Sequence, residues 1–259
     1  EKSGTLIIDP VPVLEWGTYY GGSGSELGAR LTMGKSGEFY VTGVTSSASS
    51  IASSGIHQSI YGGGYSDVFI CKINDNGQVI WATYYGGSEQ DMWGGIIADK
   101  VGNIYISGTT VSSNGIATSG AHQVAHSGGL SDAFIAKFDS TGTRIWGSYL
   151  GGASSESGLG ITLDTSSNIY ISGFTSSSSG FATTGAFQTS LAGSIDIFIS
   201  KFSNSGQRIW GTYYGGSDAD RAYGIVFDHN ANLYLTGRTS STNSIATSGT
   251  HQTAFGGYD

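Results

Sequence analysis

Acidic residues recur at one place in this sequence, and they are its clearest candidates for chemistry. Glu26, Asp91, Glu156 and Asp220 each stand four residues beyond a Gly-Gly pair. If the fold brings these four carboxylates around one opening, their oxygens could bind a cation or a polyol. In the alternative, which the pattern favours, each carboxylate accepts backbone N–H groups in its own turn, and this would explain its presence in every copy.

A second group of residues differs from copy to copy beside those carboxylates: Arg30, Met92, Trp93, Arg221 and Tyr223. Trp93 or Tyr223 could stack on a sugar, so this group predicts ligand binding on one face of the molecule. The predicted ligand-binding set is Glu26, Asp91, Trp93, Glu156, Asp220, Arg221 and Tyr223. Catalysis requires unlike groups in unlike roles, and few residues break the repeat, so we predict no catalytic residue.

The histidines and the cysteine do not predict a metal site. His57, His122 and His251 occupy one repeated position, but the third copy has Phe187 there, and a phenyl ring cannot bind a metal. We interpret this position as an aromatic anchor for a long loop. Cys71 aligns with small residues of a strand and is expected to be a packed thiol. No metal and no cofactor is predicted.

The element that must position these residues is a repeat of 64 or 65 residues. It is marked by Trp16, Trp81, Trp146 and Trp210, each of which opens a version of W-x-[ST]-Y-[YL]-G-G. Alternating apolar residues within one copy predict strand, tight turn, strand, long loop, strand, tight turn and strand. In the third copy, the first of these strands is expected at residues 160–164.

Such a four-stranded sheet carries apolar residues on both faces and needs neighbours to bury them. We therefore predict an all-β fold, a β-propeller of four-stranded antiparallel blades, with the small Gly-Ile strand innermost and the Trp strand outermost. The predicted single domain, 1–259, divides into units 1–66, 67–131, 132–195 and 196–259. Residues 6–8 and 13–20 align with the third and fourth strands of a blade. Either they complete a closed four-bladed ring with the last unit, or the chain is part of a longer array.

Composition excludes several classes of protein. Charged residues make up 12% of the chain, the formal net charge is −8 and the pI is near 4.9. This charge gives no attraction for nucleic acid, and no run of 18 apolar residues predicts insertion into a membrane. Aromatic residues make up 12% of the chain, enough ring surface to build a core, and this argues against disorder.

The repeated motifs resemble those of a known family. Phe181-Ala182-Thr183-Thr184-Gly185-Ala186-Phe187-Gln188, Ser131-Asp132-Ala133-Phe134-Ile135-Ala136-Lys137-Phe138 and Tyr149-Leu150-Gly151-Gly152 are similar to the bacterial SBBP β-propeller repeat, and the likeness recurs in every unit. The family's usual lysine falls at Lys72, Lys137 and Lys201.

The resemblance implies a secreted or cell-surface location and a structural or adhesive role in a larger bacterial surface protein. The expected partners are other domains or chains of a surface assembly, with polysaccharide as a candidate. A carbohydrate- or protein-binding module is the alternative function, and a polysaccharide-acting enzyme is the least favoured one.

Overall fold

The computed structural model describes residues 14–257, and this part of the chain contains strands and no helix. The described residues form fourteen strands, each seven or eight residues long. Their bounds are β1 Glu26–Met33, β2 Phe39–Thr45, β3 Asp67–Ile73, β4 Val79–Tyr85, β5 Asp91–Ala98, β6 Ile104–Thr110, β7 Asp132–Phe138, β8 Arg144–Leu150, β9 Glu156–Leu163, β10 Ile169–Thr175, β11 Asp196–Phe202, β12 Arg208–Tyr214, β13 Asp220–Phe227 and β14 Leu233–Thr239.

The strands form three four-stranded antiparallel sheets and one final hairpin. The first sheet has the order β1-β2-β3-β4, the second β5-β6-β7-β8 and the third β9-β10-β11-β12, and β13 pairs with β14. These sheets confirm the predicted all-β class and the predicted order of strands within a unit. The predicted start of the inner strand in the third unit was wrong: β9 begins at Glu156, four residues before Gly160, because Glu156 already pairs with Thr175.

The core lies between successive sheets. On the middle sheet, Ile104, Ile106 and Phe134 pack toward the first sheet, and Tyr105 and Ile135 pack toward the third. Neighbouring residues of one strand point to opposite faces, so one alternating strand supplies two interfaces. The inner strands β1, β5, β9 and β13 contact one another in chain order. This stacking is the predicted way of burying both faces.

Three of the four repeated tryptophans connect the outer part of one unit to the next unit. The indole N–H of Trp81 donates to the carbonyl of Ser140 at 3.1 Å, and that of Trp146 donates to the carbonyl of Asn204 at 3.1 Å. Trp16 makes the same bond to the carbonyl of Asp75 at 2.8 Å. Trp16 therefore makes the contact of an outer-strand tryptophan ahead of the first sheet, but residues 14–20 form no strand, so the fourth strand expected there was wrong over its described residues.

Apolar side chains stay exposed at both ends of the row of sheets. Leu31 and Met33 of β1 are 65% and 63% exposed, and Val226 and Tyr234 of the last hairpin are 57% and 53% exposed. Between these ends, equivalent positions are covered by the next sheet. The strand predicted at residues 6–8 lies outside the described residues, so the choice between a closed ring and a longer array stays a prediction, as does the division into units.

Candidate functional site

The repeated carboxylates are the first residues of the four inner strands, and three of them are buried. Asp91, Glu156 and Asp220 have no exposed surface, and Glu26 is half-buried. Each accepts an N–H from its own Gly-Gly turn: Gly87 N donates to Asp91 at 2.7 Å and Gly152 N to Glu156 at 2.9 Å. These bonds are the ones expected if each carboxylate stabilises its own turn and binds no ligand.

The length of the carboxylate decides how many hydrogen bonds it makes. Oε1 of Glu156 accepts from the hydroxyls of both Thr175 and Ser177 at 2.6 Å. The shorter Asp91 accepts from the hydroxyl of Ser112 at 2.9 Å through Oδ2, but its buried Oδ1 has no hydrogen-bond partner among the described residues. Asp220 Oδ1 is in the same position. The two aspartates thus each leave one buried oxygen unsatisfied.

A second aspartate, not singled out in the sequence, lies beside Asp91. Asp67, the first residue of β3, is fully buried, and a side chain at Gly86 would touch both carboxylates, 2.6 Å from Asp67 Oδ1 and 2.7 Å from Asp91 Oδ2. Burial, reinforced by the charge of Asp91, raises the pKa of Asp67 to about 7. Burial also raises the pKa of Asp91 to about 6. The sequence does contain a sign of Asp67, because aspartate also begins the equivalent strands at Asp132 and Asp196.

The half-buried Glu26 behaves differently from its buried equivalents. Burial opposes its ionisation, but hydrogen bonds from the hydroxyls of Ser47 and Thr45 and from Gly22 N hold its pKa below its ordinary value. In Glu156, burial outweighs the same kind of hydrogen bonds, and its pKa is raised. Glu26 and Glu156 therefore differ in acidity because Glu156 is the more deeply buried of the two.

A groove of about 480 Å³ runs across the inner strands of the three sheets. Its aromatic and apolar lining comes from all three sheets and from the loop before β3, and includes Leu27, Tyr65, Met92, Trp93, Leu159 and Phe174. The polar lining is neutral, from serine, threonine and glutamine side chains. This combination of an apolar wall with a few polar groups is typical of small-ligand sites.

The structure brings part of the predicted ligand-binding set to this groove. Trp93 lines it, and Arg221 lies over the ring of Phe174, with the guanidinium carbon 5.1 Å from the ring centroid. The carboxylates of the set are not lining residues, and neither is Tyr223, which is 46% exposed on β13. Sequence reasoning missed Tyr65 and Phe174, since a single aromatic residue in a loop or strand carries no repeat signal.

The residues expected to be structural make local contacts. His57 packs edge-on against Phe138, and burial, helped by Arg144, lowers its pKa to about 4. Lys72 forms an ion pair with Glu38 at 3.4 Å. Cys71 is buried, and burial raises the pKa of its thiol to about 12. Among residues 14–257, no three His, Cys, Asp or Glu side chains come together in a way that could hold a metal ion.

Within the same residues we find no helix long and apolar enough to cross a membrane.

Comparisons with known proteins support the repeat assignment. The SBBP family model, described as a beta-propeller repeat, matches residues 80–118 and 209–243. "Uncharacterized WD repeat-containing protein L264" of Acanthamoeba polyphaga mimivirus is 26% identical over 202 residues. That alignment covers 66% of this chain and 14% of the relative, so the chain spans about a seventh of the length of that protein.

Two solved structures of proteins of unknown function are similar to this chain. One, from Dyadobacter fermentans, has a TM-score of 0.44 at 9% identity and is covered over 55% of its length by 80% of this chain. The other, from Bacteroides caccae, has a TM-score of 0.38 at 12% identity and is covered over 72% of its length by 83% of this chain.

Proposed function

Because the chain carries SBBP β-propeller repeats, we propose that it is a non-catalytic scaffold domain of a larger bacterial protein that is secreted or held at the cell surface. Its partners would be other domains or chains of a surface assembly. The repeated polar residues support this role, because they bond to the chain itself: Gln123 binds the backbone at Gly151 and the carboxylate of Asp132, and Asp132 accepts from Ser127 N.

The observation that carries the proposal is where repeated and unrepeated residues lie. The repeated carboxylates and glutamines bond within turns and loops, whereas Met92 and Trp93, two of the residues that differ between copies, line the groove. Trp93 is replaced by Gly28, Gly158 and Ala222 in the other units. In a scaffold built from repeats, the residues that stabilise each unit recur in every copy, whereas the residues of a binding surface differ between copies. The groove is therefore the face on which this scaffold binds.

Location is tested with intact cells of the organism that encodes the chain. Antibodies against residues 14–257 are expected to label unbroken cells, and added protease is expected to remove the label while a cytosolic marker protein stays intact. Labelling that appears only after the cells are broken would contradict the proposed location.

Carbohydrate is a second candidate ligand, favoured by the rings of Trp93, Tyr65 and Phe174 beside neutral hydroxyl and amide groups. A glycan array tests it with the wild-type chain and Trp93→Ala. Tyr19→Ala is the control, because Tyr19 is fully exposed outside the groove. Retention that is lost in Trp93→Ala alone supports the candidate. An array on which nothing is retained, or retention that Trp93→Ala leaves unchanged, rules it out.

The non-catalytic part of the proposal is tested with Asp91→Asn. A glycoside hydrolase needs two carboxyl groups that reach the substrate. Asp91, Glu156 and Asp220 are buried and bonded to their own turns, so we expect no turnover on a polysaccharide panel. Hydrolysis by the wild-type chain that Asp91→Asn abolishes would overturn this part.

A further inference from the structure

Three lysines occupy one repeated position, and the middle one differs from the others in its surroundings. Lys72, Lys137 and Lys201 lie on the third strand of each sheet, on β3, β7 and β11. Lys72 forms an ion pair with Glu38 at 3.4 Å, and Lys201 forms one with Asp164 at 3.1 Å. Within the part of the chain that the structure describes, Lys137 forms no ion pair.

The hydrogen-bond acceptor of Lys137 is a neutral amide. Lys137 Nζ donates to the side-chain oxygen of Asn204 in the turn between β11 and β12, and the amide nitrogen of Asn204 donates to the hydroxyl of Tyr105 at 3.1 Å. Asp99, the carboxylate in the position that pairs with the lysine of the third sheet, accepts from the hydroxyl of Tyr105 at 3.0 Å. The preceding unit has Ser140 at the place of Asn204, so this amide is not a feature of every unit.

Lys137 also lines a pocket of about 700 Å³ between the second and third sheets. The walls come from residues 118–121 of the loop before β7, from Ile145 and Trp146 of β8, and from residues 203–206. Lys137 is the charged side chain in a lining of apolar, hydroxyl and amide groups. No residue of this lining belongs to the groove described above, so the two sites are separate.

We propose that Lys137 is a covalent attachment site for a small aldehyde with an apolar body. Lysine amines form imines with carbonyl compounds, and the reacting species is the neutral amine, because an ammonium group has no lone pair. The nitrogen of Lys137 attacks the carbonyl carbon, a C=N bond forms, and the carbonyl oxygen leaves as water with the two protons of the amine. The exposed side chain of Ile145 and the ring of Trp146 supply the apolar wall for the body of the aldehyde.

The surroundings of the three lysines also affect how much neutral amine each provides. Burial lowers the pKa of Lys137 below its ordinary value of 10.5, although the charge of Asp99 acts in the opposite direction. Burial acts in the same way on Lys72 and Lys201, but the tyrosine and the carboxylate beside each of them raise the pKa above that value. A lower pKa leaves more of the amine neutral near pH 7, so Lys137 should react faster than its two equivalents.

Reductive labelling with benzaldehyde measures this difference. Sodium cyanoborohydride converts each imine into a stable secondary amine, and mass spectrometry of peptides then gives the rate at each lysine. At pH 7.5 we expect Lys137 to be labelled at least about tenfold faster than Lys72 or Lys201, the effect of one unit between their pKa values.

Asn204→Ser tests the cause of this reactivity. It places at this junction the residue that the preceding unit has at Ser140. Without the amide, Lys137 is free to pair with Asp99, as Lys201 pairs with Asp164. Labelling of Lys137 should therefore fall to the rate of Lys201.

A second pair of variants tests the apolar body of the aldehyde. Ile145→Ser should slow labelling by benzaldehyde by at least about fourfold, the effect of one buried CH₂ group, and leave labelling by the hydrophilic glyceraldehyde unchanged. Ile209→Ser is the matched control, because Ile209 is the equivalent residue of β12, is 50% exposed against 48% for Ile145, and lies outside the pocket. Circular dichroism of every variant checks that the strands are retained.

The outcomes separate the site from the class of aldehyde. Equal labelling of the three lysines, or labelling of Lys137 that Asn204→Ser leaves unchanged, would overturn the site. Faster labelling by glyceraldehyde than by benzaldehyde, or an equal loss of both in Ile145→Ser, would overturn the apolar body and favour an aldehyde derived from a sugar. None of these results concerns the groove, so the proposed function is tested independently.

Discussion

A difference of one methylene group separates the two kinds of carboxylate that begin the inner strands. One oxygen of Glu156 accepts from the hydroxyls of both Thr175 and Ser177, whereas Oδ2 of its equivalent Asp91 accepts from Ser112 and its Oδ1 has no hydrogen-bond partner among the described residues. Thr110, which pairs with Asp91 across the sheet, corresponds to Thr175. A buried oxygen without a partner costs free energy, so the aspartate units are the less stable form of a motif that the glutamate units complete.

Asp91→Glu is therefore expected to stabilise the chain by about 1 kcal/mol, because the longer side chain can bring one oxygen to the hydroxyls of both Thr110 and Ser112, as Glu156 does with Thr175 and Ser177. The reverse change, Glu156→Asp, should destabilise it by a similar amount. Urea unfolding followed by tryptophan fluorescence measures both. If the longer side chain of Asp91→Glu overpacked its site, this substitution would lower the stability of the chain, as Glu156→Asp does. That result would contradict the explanation by side-chain length.

The pair of buried aspartates predicts a dependence of stability on pH. The pKa of Asp67 is about 7 in the folded chain, above the ordinary value of 3.8. An unfolded chain loses this proton first as the pH rises, so folding stability should fall between about pH 4 and pH 7.

Asp67→Asn should reduce that fall by more than about 1 kcal/mol, because the amide does not ionise. Free energies of unfolding at pH 4.5 and pH 7.5 measure it. Asp75→Asn serves as the control, since the side chain of Asp75 is exposed. A pH dependence that is identical in the wild type and Asp67→Asn would show that Asp67 is not the responsible group.

At the scale of the strand and its turn, neighbouring sheets are joined by a tryptophan that covers a glycine of the next unit. A side chain at Gly142 would lie 3.0 Å from the ring of Trp81, and one at Gly206 would lie 2.8 Å from that of Trp146. Gly142 also has a positive φ of 87°, a conformation that L residues rarely adopt. Glycine is therefore needed there for two separate reasons.

A matched pair of substitutions separates those reasons. Gly120 has a positive φ of 78° and open space around it, so Gly120→Ala should cost only backbone strain, about 1 kcal/mol. Gly142→Ala should cost clearly more, about 2 to 4 kcal/mol, because it also displaces Trp81. Chemical unfolding compares the two. Equal losses would mean that the contact with Trp81 contributes little to the joint between sheets.

The strands were predictable from sequence because the repeat samples one pattern four times. Tyr105 and its three equivalents fix the register of the second strand, and Trp146 and its equivalents fix the outer one. The groove was predictable only in part. Trp93 and Arg221 stand out because they break the repeat pattern. Phe174 does not, and its contact with Arg221 depends on how neighbouring sheets stack, which sequence spacing does not encode.

The same limit explains the carboxylates. Their repetition in the sequence fits both an open ring and a set of closed turns. Only the burial of Asp91, Glu156 and Asp220 distinguishes the two geometries, and burial depends on how each Gly-Gly turn folds over the start of the next strand.

At the scale of the whole molecule, the strands differ in how far neighbouring sheets bury them. Every residue of β6 and β7 is buried, because the middle sheet has a sheet on both sides. In β14, by contrast, four of the seven residues are exposed, and among residues 14–257 this strand pairs with β13 alone. Stability of stacked repeats depends on interfaces between neighbours, so local opening should be easiest at the last hairpin.

Hydrogen exchange measured by mass spectrometry is expected to show this gradient, with peptides from 104–138 exchanging slowest and those from 233–239 exchanging early. The same measurement decides between the two arrangements that the repeat allows. If β14 were as protected as β6, another strand would have to pair with the edge of β14 that faces away from β13, and closure of the ring by residues from the start of the chain would be the simplest source. Early exchange at β14 together with early exchange at β1 would instead mean that both ends of the row are free to receive further repeats.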